Sequence, residues 1–233
     1  MSLLSNIRSP AFINRVGLKK KQLIHRMVFV RHGETLSNIA IMNNNLESLH
    51  KQSLDTPLSE IGINQGQNVS DYLTKIGFIP DRIICSKLQR AKNTGKPFID
   101  SHENISVEYD ESIVEYNYKN DIIINPDTID EWFYKKETND EFIERVNNAF
   151  TKLSKYGSKE EPKQSLIYTH SQVISMILTN SLTGKLTETN IMFHISNGSI
   201  TCIDLDEDGK YHIQCVNYTR HLDEPTGHHS EFI

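Results

Sequence analysis

The sequence has no long hydrophobic run and little cysteine. No apolar stretch approaches the roughly 20 residues that span a bilayer, so no membrane segment and no membrane partner are expected. The three cysteines, Cys85, Cys202 and Cys215, form no CxxC pair and are odd in number. A disulfide framework is therefore not predicted, and a reducing compartment, the cytoplasm, is expected.

The chain also lacks an excess of positive charge, because its 30 acidic residues outnumber its 25 lysines and arginines. The net charge of -5 argues against a general nucleic-acid-binding protein, so any anion site must be a local pocket. The first 26 residues are the exception, because they carry six basic residues and no acid occurs before Glu34. This stretch is either a solvated extension or an organellar transit segment, and the apolar region of a secretory signal is absent.

The remaining composition is that of a globular chain. With 233 residues, 37% hydrophobic and 24% charged, the sequence predicts a basic N-terminal extension over 1–22, one domain over 23–219 and a tail over 220–233. Apolar strands alternate with amphipathic helices and end in a hairpin around 206–209. This alternation predicts an α/β fold in which a mixed, mostly parallel sheet has helices on both faces.

One strand ends in an unusual polar run. The apolar segment Met27–Val30 is followed at once by Arg31, His32, Gly33, Glu34 and Thr35. Ligands of open α/β proteins bind at the carboxyl ends of strands, and an arginine there offers a planar fork of donors to a phosphate or carboxylate. A lone histidine in such a place is more often a hydrogen-bonded turn residue than a nucleophile, acid, base or ligand.

Two further strand ends carry the same kinds of residue. The predicted strand 82–86 leads into a helix that places Arg90 one turn on, and the strand 165–169 ends in His170, where Ser171 opens another helix. Arg31, His32, Arg90 and His170 thus all follow strand ends. The topology predicts that they converge on one crevice.

These motifs resemble the histidine phosphatase superfamily, which includes the phosphoglycerate mutases. The run from Arg31 resembles the signature of this superfamily, with Asn38 in the place of the signature's Asn. The segment 55–67 resembles the second segment of the superfamily pattern. The superfamily's second arginine motif resembles Ser86-x-Leu-x-Arg90-Ala-x-x-Thr94. The resemblance implies a phosphoglycerate mutase-like single domain. It also implies that His32 accepts a phosphoryl group while the side chains of Arg31, Asn38, Arg90 and His170 hold the substrate. Ser171 stands where the family usually has a small residue, and we expect it either to narrow the pocket or to donate its hydroxyl to the phosphate.

The resemblance further implies a glutamate that protonates the leaving group. Glu115 is the candidate, in preference to Glu111, because it follows Ile113 and Val114 as the family pattern requires; a surface carboxylate is the alternative. Two departures from the pattern are Tyr116 to Lys119, where many relatives carry a Gly and a Trp-Glu-Gly run, and Ser171-Gln172, where small residues are usual.

The predicted activity is hydrolysis of a phosphomonoester through a phosphohistidine, with no metal and no other cofactor. The expected partner is a small phosphorylated substrate, with a phosphoprotein left open; the oligomeric state is not predictable. A mutase is the alternative, but only 55 positions separate Glu115 from His170, where mutases typically carry a longer insertion. The second alternative is a catalytically idle module that binds a phosphorylated ligand. A metal-dependent hydrolase using His221, His228 and His229 is the weakest alternative.

Overall fold

The computed structural model describes residues 21–43, 55–116, 137–184, 192–223 and 225–227. Predictions about the rest of the basic extension, about Tyr118 and about His228 and His229 fall outside these residues. Within the described ranges, no helix is both long and apolar enough to cross a membrane.

One six-stranded sheet forms the centre of the fold. Its strands are β1 (Leu23–Arg31), β2 (Arg82–Ser86), β3 (Val107–Asp110), β4 (Lys163–Thr169), β5 (Ile200–Asp206) and β6 (Tyr211–Tyr218). The spatial order is β3-β2-β4-β1-β5-β6. Strands β3, β2, β4 and β1 are parallel, whereas β5 and β6 pair antiparallel. The predicted mixed, mostly parallel sheet is confirmed.

Five α-helices accompany the sheet in the described residues: α1 (Leu36–Met42), α2 (Glu60–Lys75), α3 (Gln89–Asp100), α4 (Asn139–Ser154) and α5 (Ser171–Thr183). A short 3-10 turn, Glu111–Ile113, follows β3. Helices α4 and α5 pack on one face of the sheet against Met27 and Phe29 of β1, and α2 and α3 pack on the other face against Val28 and Val30. Because successive residues of a strand face opposite sides, β1 is buried on both faces, as its apolar run predicts.

Local sequence signals set the ends of the helices. The Ser59 hydroxyl accepts a hydrogen bond from the amide of Gly62 and so caps α2, and a capping box between Thr138 and Glu141 begins α4. Helix α5 ends at Gly184, whose φ of 70° is in the left-handed region. The β5–β6 hairpin turns between Asp206 and Tyr211, close to its predicted position around 206–209.

Candidate active site

The candidate site lies where the central parallel strands end. The backbone amide of His32, just after β1, donates to the carbonyl of Thr169, the last residue of β4, over 3.0 Å. Ser86 ends β2 on the other side of β4. Three neighbouring strands therefore deliver Arg31, Ser86 and His170 to one edge of the sheet, as the topology predicts.

His32 is held as a neutral imidazole. Its Nδ1 lies 2.7 Å from the carbonyl oxygen of Gly33, and since a carbonyl only accepts, Nδ1 carries the proton and Nε2 keeps its lone pair. Burial, followed by the charges of Arg90 and Arg31, lowers the pKa of His32 well below its usual value. The imidazole consequently presents an unprotonated nitrogen at neutral pH.

The loop after His32 requires glycine on both sides of a close contact. A Cβ on Gly33 would lie 2.3 Å from the carbonyl oxygen of Gly62, and a Cβ on Gly62 would lie 2.0 Å from that of Glu34. Glu34 is buried, and its Oε1 accepts from the Ser59 hydroxyl over 2.7 Å. The first turn of α2 thus fixes the shape of the loop that carries His32.

Two buried arginines flank His32. The Nη1 of Arg31 donates to the carbonyl of Ile195, and burial lowers the pKa of Arg31 to about 10 despite the favourable charge of Glu115. The Nη1 of Arg90 lies 3.6 Å from Oδ1 of Asp55, and burial likewise lowers the pKa of Arg90. Since arginine loses its proton only far above pH 7, both guanidiniums stay charged at neutral pH.

His170 contacts the end of β2 through its second nitrogen. Its Nε2 lies 2.7 Å from Oγ of Ser86, and the same Oγ accepts from the amide of Leu88 over 3.4 Å. We assign the Ser86 hydroxyl as the donor to Nε2, which places the ring proton on Nδ1. That Nδ1 is buried and has no hydrogen-bond partner in the described residues. It is the orphaned donor expected of a group that binds a ligand.

The rings of His32 and His170 face each other at the edge of the sheet. Their centroids are 5.2 Å apart. Burial, and after it the charges of Arg90, His32 and Arg31, lowers the pKa of His170 well below its usual value. Two neutral imidazoles and two charged guanidiniums therefore act on one another at this edge of the sheet, with the carboxylate of Asp55 beside Arg90.

Glu115 lies at the amino terminus of α5. Its Oε2 accepts from the hydroxyl of Ser171 over 3.2 Å and from the amide of Gln172 over 3.4 Å, and its Oε1 accepts from the amide of Tyr116 over 3.1 Å. The negative charge of Glu115 raises the pKa values of Arg31 and Arg90, against the larger effect of burial, which lowers them. The hydroxyl of Ser171, predicted to hold substrate, is directed at Glu115 in this structure.

Asn38 has a local structural role as well as a place near the site. Its Oδ1 accepts from the amide and hydroxyl of Thr35, closing the capping box of α1, and also from Nδ2 of Asn197 over 3.2 Å. A carbonyl oxygen committed in this way leaves the Nδ2 group as the part of Asn38 able to donate to a substrate.

Two residues of this region were not predicted as site residues. The carboxylate of Asp55 accepts from the amide of Gln89 over 2.7 Å and so caps α3, whose own N-cap position holds the apolar Leu88. Nδ2 of Asn197 donates to the carbonyl of His32 over 3.1 Å. The missing cap of α3 is a sequence signal for an outside partner such as Asp55, whereas nothing around Asn197 marks it.

Part of the predicted C-terminal tail packs beside the pocket. The carbonyl of Thr226 accepts from the amide of Asn197 over 3.0 Å, and its hydroxyl accepts from Nε2 of Gln65 over 3.0 Å. A Cβ on Gly227 would lie 2.9 Å from Nη1 of Arg31. Residues 225–227 therefore form a wall next to Arg31. Across the described ranges, no group of three or more His, Cys, Asp or Glu side chains is arranged to hold a metal ion.

Several known proteins are similar to this chain in sequence or in fold. The adenosylcobalamin/alpha-ribazole phosphatase of Escherichia coli (strain K12) is 26% identical over 197 residues, which cover 78% of this chain and 91% of that protein. YhfR of Bacillus stearothermophilus superposes with a TM-score of 0.64 at 20% identity, covering 85% of this chain and 100% of its own. A phosphoglycerate mutase from Bacillus anthracis superposes with a TM-score of 0.60 at 17% identity, covering 87% of this chain and 96% of that one.

The structural neighbours show that the fold is phosphoglycerate mutase-like, as the resemblance implies. The family model of the histidine phosphatase superfamily (branch 1) matches residues 27–219, which contain every candidate side chain described above. The chain belongs to the histidine phosphatase superfamily, branch 1.

Proposed function

We propose that this protein hydrolyses phosphomonoesters through a phosphohistidine formed on Nε2 of His32. The observation that supports this proposal most directly is the hydrogen bond from Nδ1 of His32 to the carbonyl of Gly33. It leaves a lone pair on Nε2, and the charges of Arg90 and Arg31 act on the same ring. A nucleophile that is unprotonated and fixed in direction needs no separate base. The phosphatase relative in Escherichia coli supports hydrolysis as the reaction class.

In the proposed complex, three groups neutralise and orient the phosphoryl oxygens. Arg31 and Arg90 supply the charge, and the orphaned Nδ1–H of His170 supplies a further donor. Positioning and charge neutralisation provide most of the rate in phosphoryl transfer. Because two guanidiniums occupy the place where a divalent cation would act, the proposed reaction proceeds without metal.

The proton balance of the two steps depends on Glu115. In the first step Nε2 of His32 bonds to phosphorus, the ester P–O bond breaks, and protonated Glu115 gives its proton to the departing oxygen. In the second step the Glu115 carboxylate takes a proton from water, whose oxygen attacks phosphorus and releases inorganic phosphate. His32 and protonated Glu115 are then regenerated. The same enzyme intermediate would support mutase chemistry if a second substrate hydroxyl replaced water.

The proposed substrate is a small phosphorylated molecule. The name of the Escherichia coli relative makes alpha-ribazole phosphate a first candidate for a substrate panel. The cytoplasm is the proposed compartment, because Cys85, Cys202 and Cys215 are all free thiols, as expected in a reducing environment.

The test compares wild type with His32→Ala on a panel of phosphomonoesters that includes alpha-ribazole phosphate and 3-phosphoglycerate. Phosphate release is followed with EDTA and with added Mg²⁺, and 2-phosphoglycerate formation is followed in the same samples. We expect release that EDTA leaves unchanged and that His32→Ala reduces by about 10³-fold or more. His102→Ala, which replaces a half-buried histidine stacked on Phe98, serves as the control.

Each other outcome identifies an alternative. Isomer formation without phosphate release means a mutase. Release that EDTA abolishes means a metal-dependent hydrolase, and tight phosphoester binding without turnover means a binding module.

A further inference from the structure

We propose that Arg145 is a positioning residue that, with Glu137, fixes the backbone from which Glu115 acts. The inference rests on the proposed role of Glu115 as proton donor. Arg145 lies on α4, a helix whose apolar spacing identifies it only as part of the scaffold. The assignment comes from the contacts of its guanidinium.

Arg145 binds the chain just before Glu115. Its Nη1 donates to the carbonyl of Ser112 over 2.9 Å and to that of Val114 over 3.0 Å. The carbonyl between them, that of Ile113, accepts from the hydroxyl of Thr169 over 2.7 Å. Three successive carbonyls are thus bound, and the last belongs to the peptide unit that contains the amide of Glu115. The orientation of that peptide plane is therefore set by Arg145.

Glu137 holds the guanidinium in this position. Nε and Nη2 of Arg145 donate to its two carboxylate oxygens over 2.6 and 2.7 Å, a bidentate pair in which the side chains are 22% and 14% exposed. The guanidinium carbon also lies 5.1 Å from the ring centroid of Phe142, and that ring is 5.0 Å from the ring of Tyr116. Arg145 therefore connects residues before Glu115 with a residue well after it.

The hydrogen bonds of Arg145 to the backbone before Glu115 and to Glu137 matter, because the direct contacts of the Glu115 side chain are long. Its Oε2 accepts over 3.2 and 3.4 Å, beyond the usual length of a charge-assisted hydrogen bond. The side chain can reach a leaving-group oxygen only if its backbone is correctly placed, since a small misplacement of a catalytic group is costly. A lysine at position 145 could not replace Arg145, because it lacks the planar guanidinium that donates to the carboxylate of Glu137 and to the two carbonyls at the same time.

The test exploits the leaving group. Protonation by Glu115 is needed for an alkyl phosphate such as β-glycerophosphate and is nearly dispensable for 4-nitrophenyl phosphate, whose leaving group departs as a stable phenolate. Because Glu115 also acts in the second step, which all substrates share, the comparison uses kcat/KM, which reports only the steps up to departure of the leaving group. We expect Glu115→Gln to lower kcat/KM on β-glycerophosphate by about 10²-fold or more and to affect kcat/KM on 4-nitrophenyl phosphate far less. Arg145→Ala should show the same selectivity, with a loss of about 10-fold or more on the alkyl substrate and under about 3-fold on the aryl one.

Matched variants separate positioning from folding. Arg145→Lys should behave like Arg145→Ala, Glu137→Gln should lie between them and wild type, and Glu144→Ala, at an exposed position of the same helix, should resemble wild type. Should Arg145→Ala fail to fold, Glu137→Gln carries the same comparison, because it keeps the arginine.

Two results overturn the inference, and they differ. An equal loss on both substrates in Arg145→Ala and Glu137→Gln, while Glu115→Gln remains selective, leaves the role of Glu115 intact and makes Arg145 merely structural. A Glu115→Gln variant without leaving-group selectivity refutes the proton donor itself, and the positioning role of Arg145 with it.

Discussion

Buried neutral histidines should make this protein sensitive to mild acid. Burial is the first cause that lowers the pKa values of His25, His32, His170 and His221, with those of His25 and His221 lowered to about 4. An unfolded histidine titrates near 6.5. Below pH 6.5 the unfolded chain therefore binds more protons than the folded one, and the free energy of unfolding must fall as the pH falls.

The size of the effect follows from the two pKa values. A histidine that titrates at about 4 when folded and about 6.5 when unfolded costs roughly 1.3 kcal/mol of unfolding free energy between pH 7.5 and 5.5. His25 and His221, whose folded pKa values are about 4, together cost about 2.6 kcal/mol over the same interval, and the lowered pKa values of His32 and His170 act in the same direction. This is a substantial part of the 5–15 kcal/mol that stabilises a typical domain. The free energy of unfolding continues to fall with pH until the buried histidines of the folded protein are themselves protonated.

His25→Gln isolates one of these contributions away from the candidate site. His25 lies near the start of β1, and its Nε2 is 2.8 Å from Oγ of Ser165, a contact that a glutamine amide can replace. Urea unfolding at pH 7.5, 6.5 and 5.5 should show the variant losing about 1.3 kcal/mol less than wild type across that range. A pH dependence identical to that of wild type would refute the reasoning, as would an NMR titration in which His25 protonates near pH 6.5.

Two further substitutions test how the site is held. Ser86→Ala removes the hydroxyl that directs Nε2 of His170, so kcat should fall by about 3- to 10-fold in steady-state assays. The unfolding free energy should fall by about 1–3 kcal/mol, because the buried Nε2 loses its hydrogen-bond partner. An unaltered kcat would contradict the assigned tautomer. Gly62→Ala places a Cβ 2.0 Å from the carbonyl oxygen of Glu34, so phosphatase activity should fall by about 10²-fold. The control Gln67→Ala, at an exposed position of α2, should leave the activity unchanged. A fully active Gly62→Ala variant would show that the loop after His32 can move freely.

The strand ends explain how much of this site could be predicted from the sequence. The predicted site residues lie at or just after the ends of apolar strands: Arg31, His32, Arg90 and His170. The carboxyl ends of neighbouring parallel strands lie at the same edge of a sheet, so such residues come together whatever the details of packing. The order of the strands could not be read from the sequence, but convergence did not depend on it.

Contacts made by irregular segments could not be predicted in the same way. Asn197 and Thr226 reach the site from stretches without regular structure, and their partners lie far away in the chain. Arg145 illustrates a second limit, because helical periodicity identifies the apolar face of α4 but not the destination of a polar side chain on that helix. Ser171 shows a third, since a hydroxyl at a helix start has several acceptors within reach and here donates to Glu115.

The most direct test of the account is to trap the phosphorylated enzyme. Wild type and His32→Ala are mixed with radiolabelled 4-nitrophenyl phosphate, quenched in alkali within milliseconds to seconds, digested and mapped by mass spectrometry. The account predicts one alkali-stable, acid-labile phosphoryl group on His32 of the wild type and none on the variant. An active wild type that never carries label, or that carries it on another residue, would contradict catalysis through a phosphohistidine at His32.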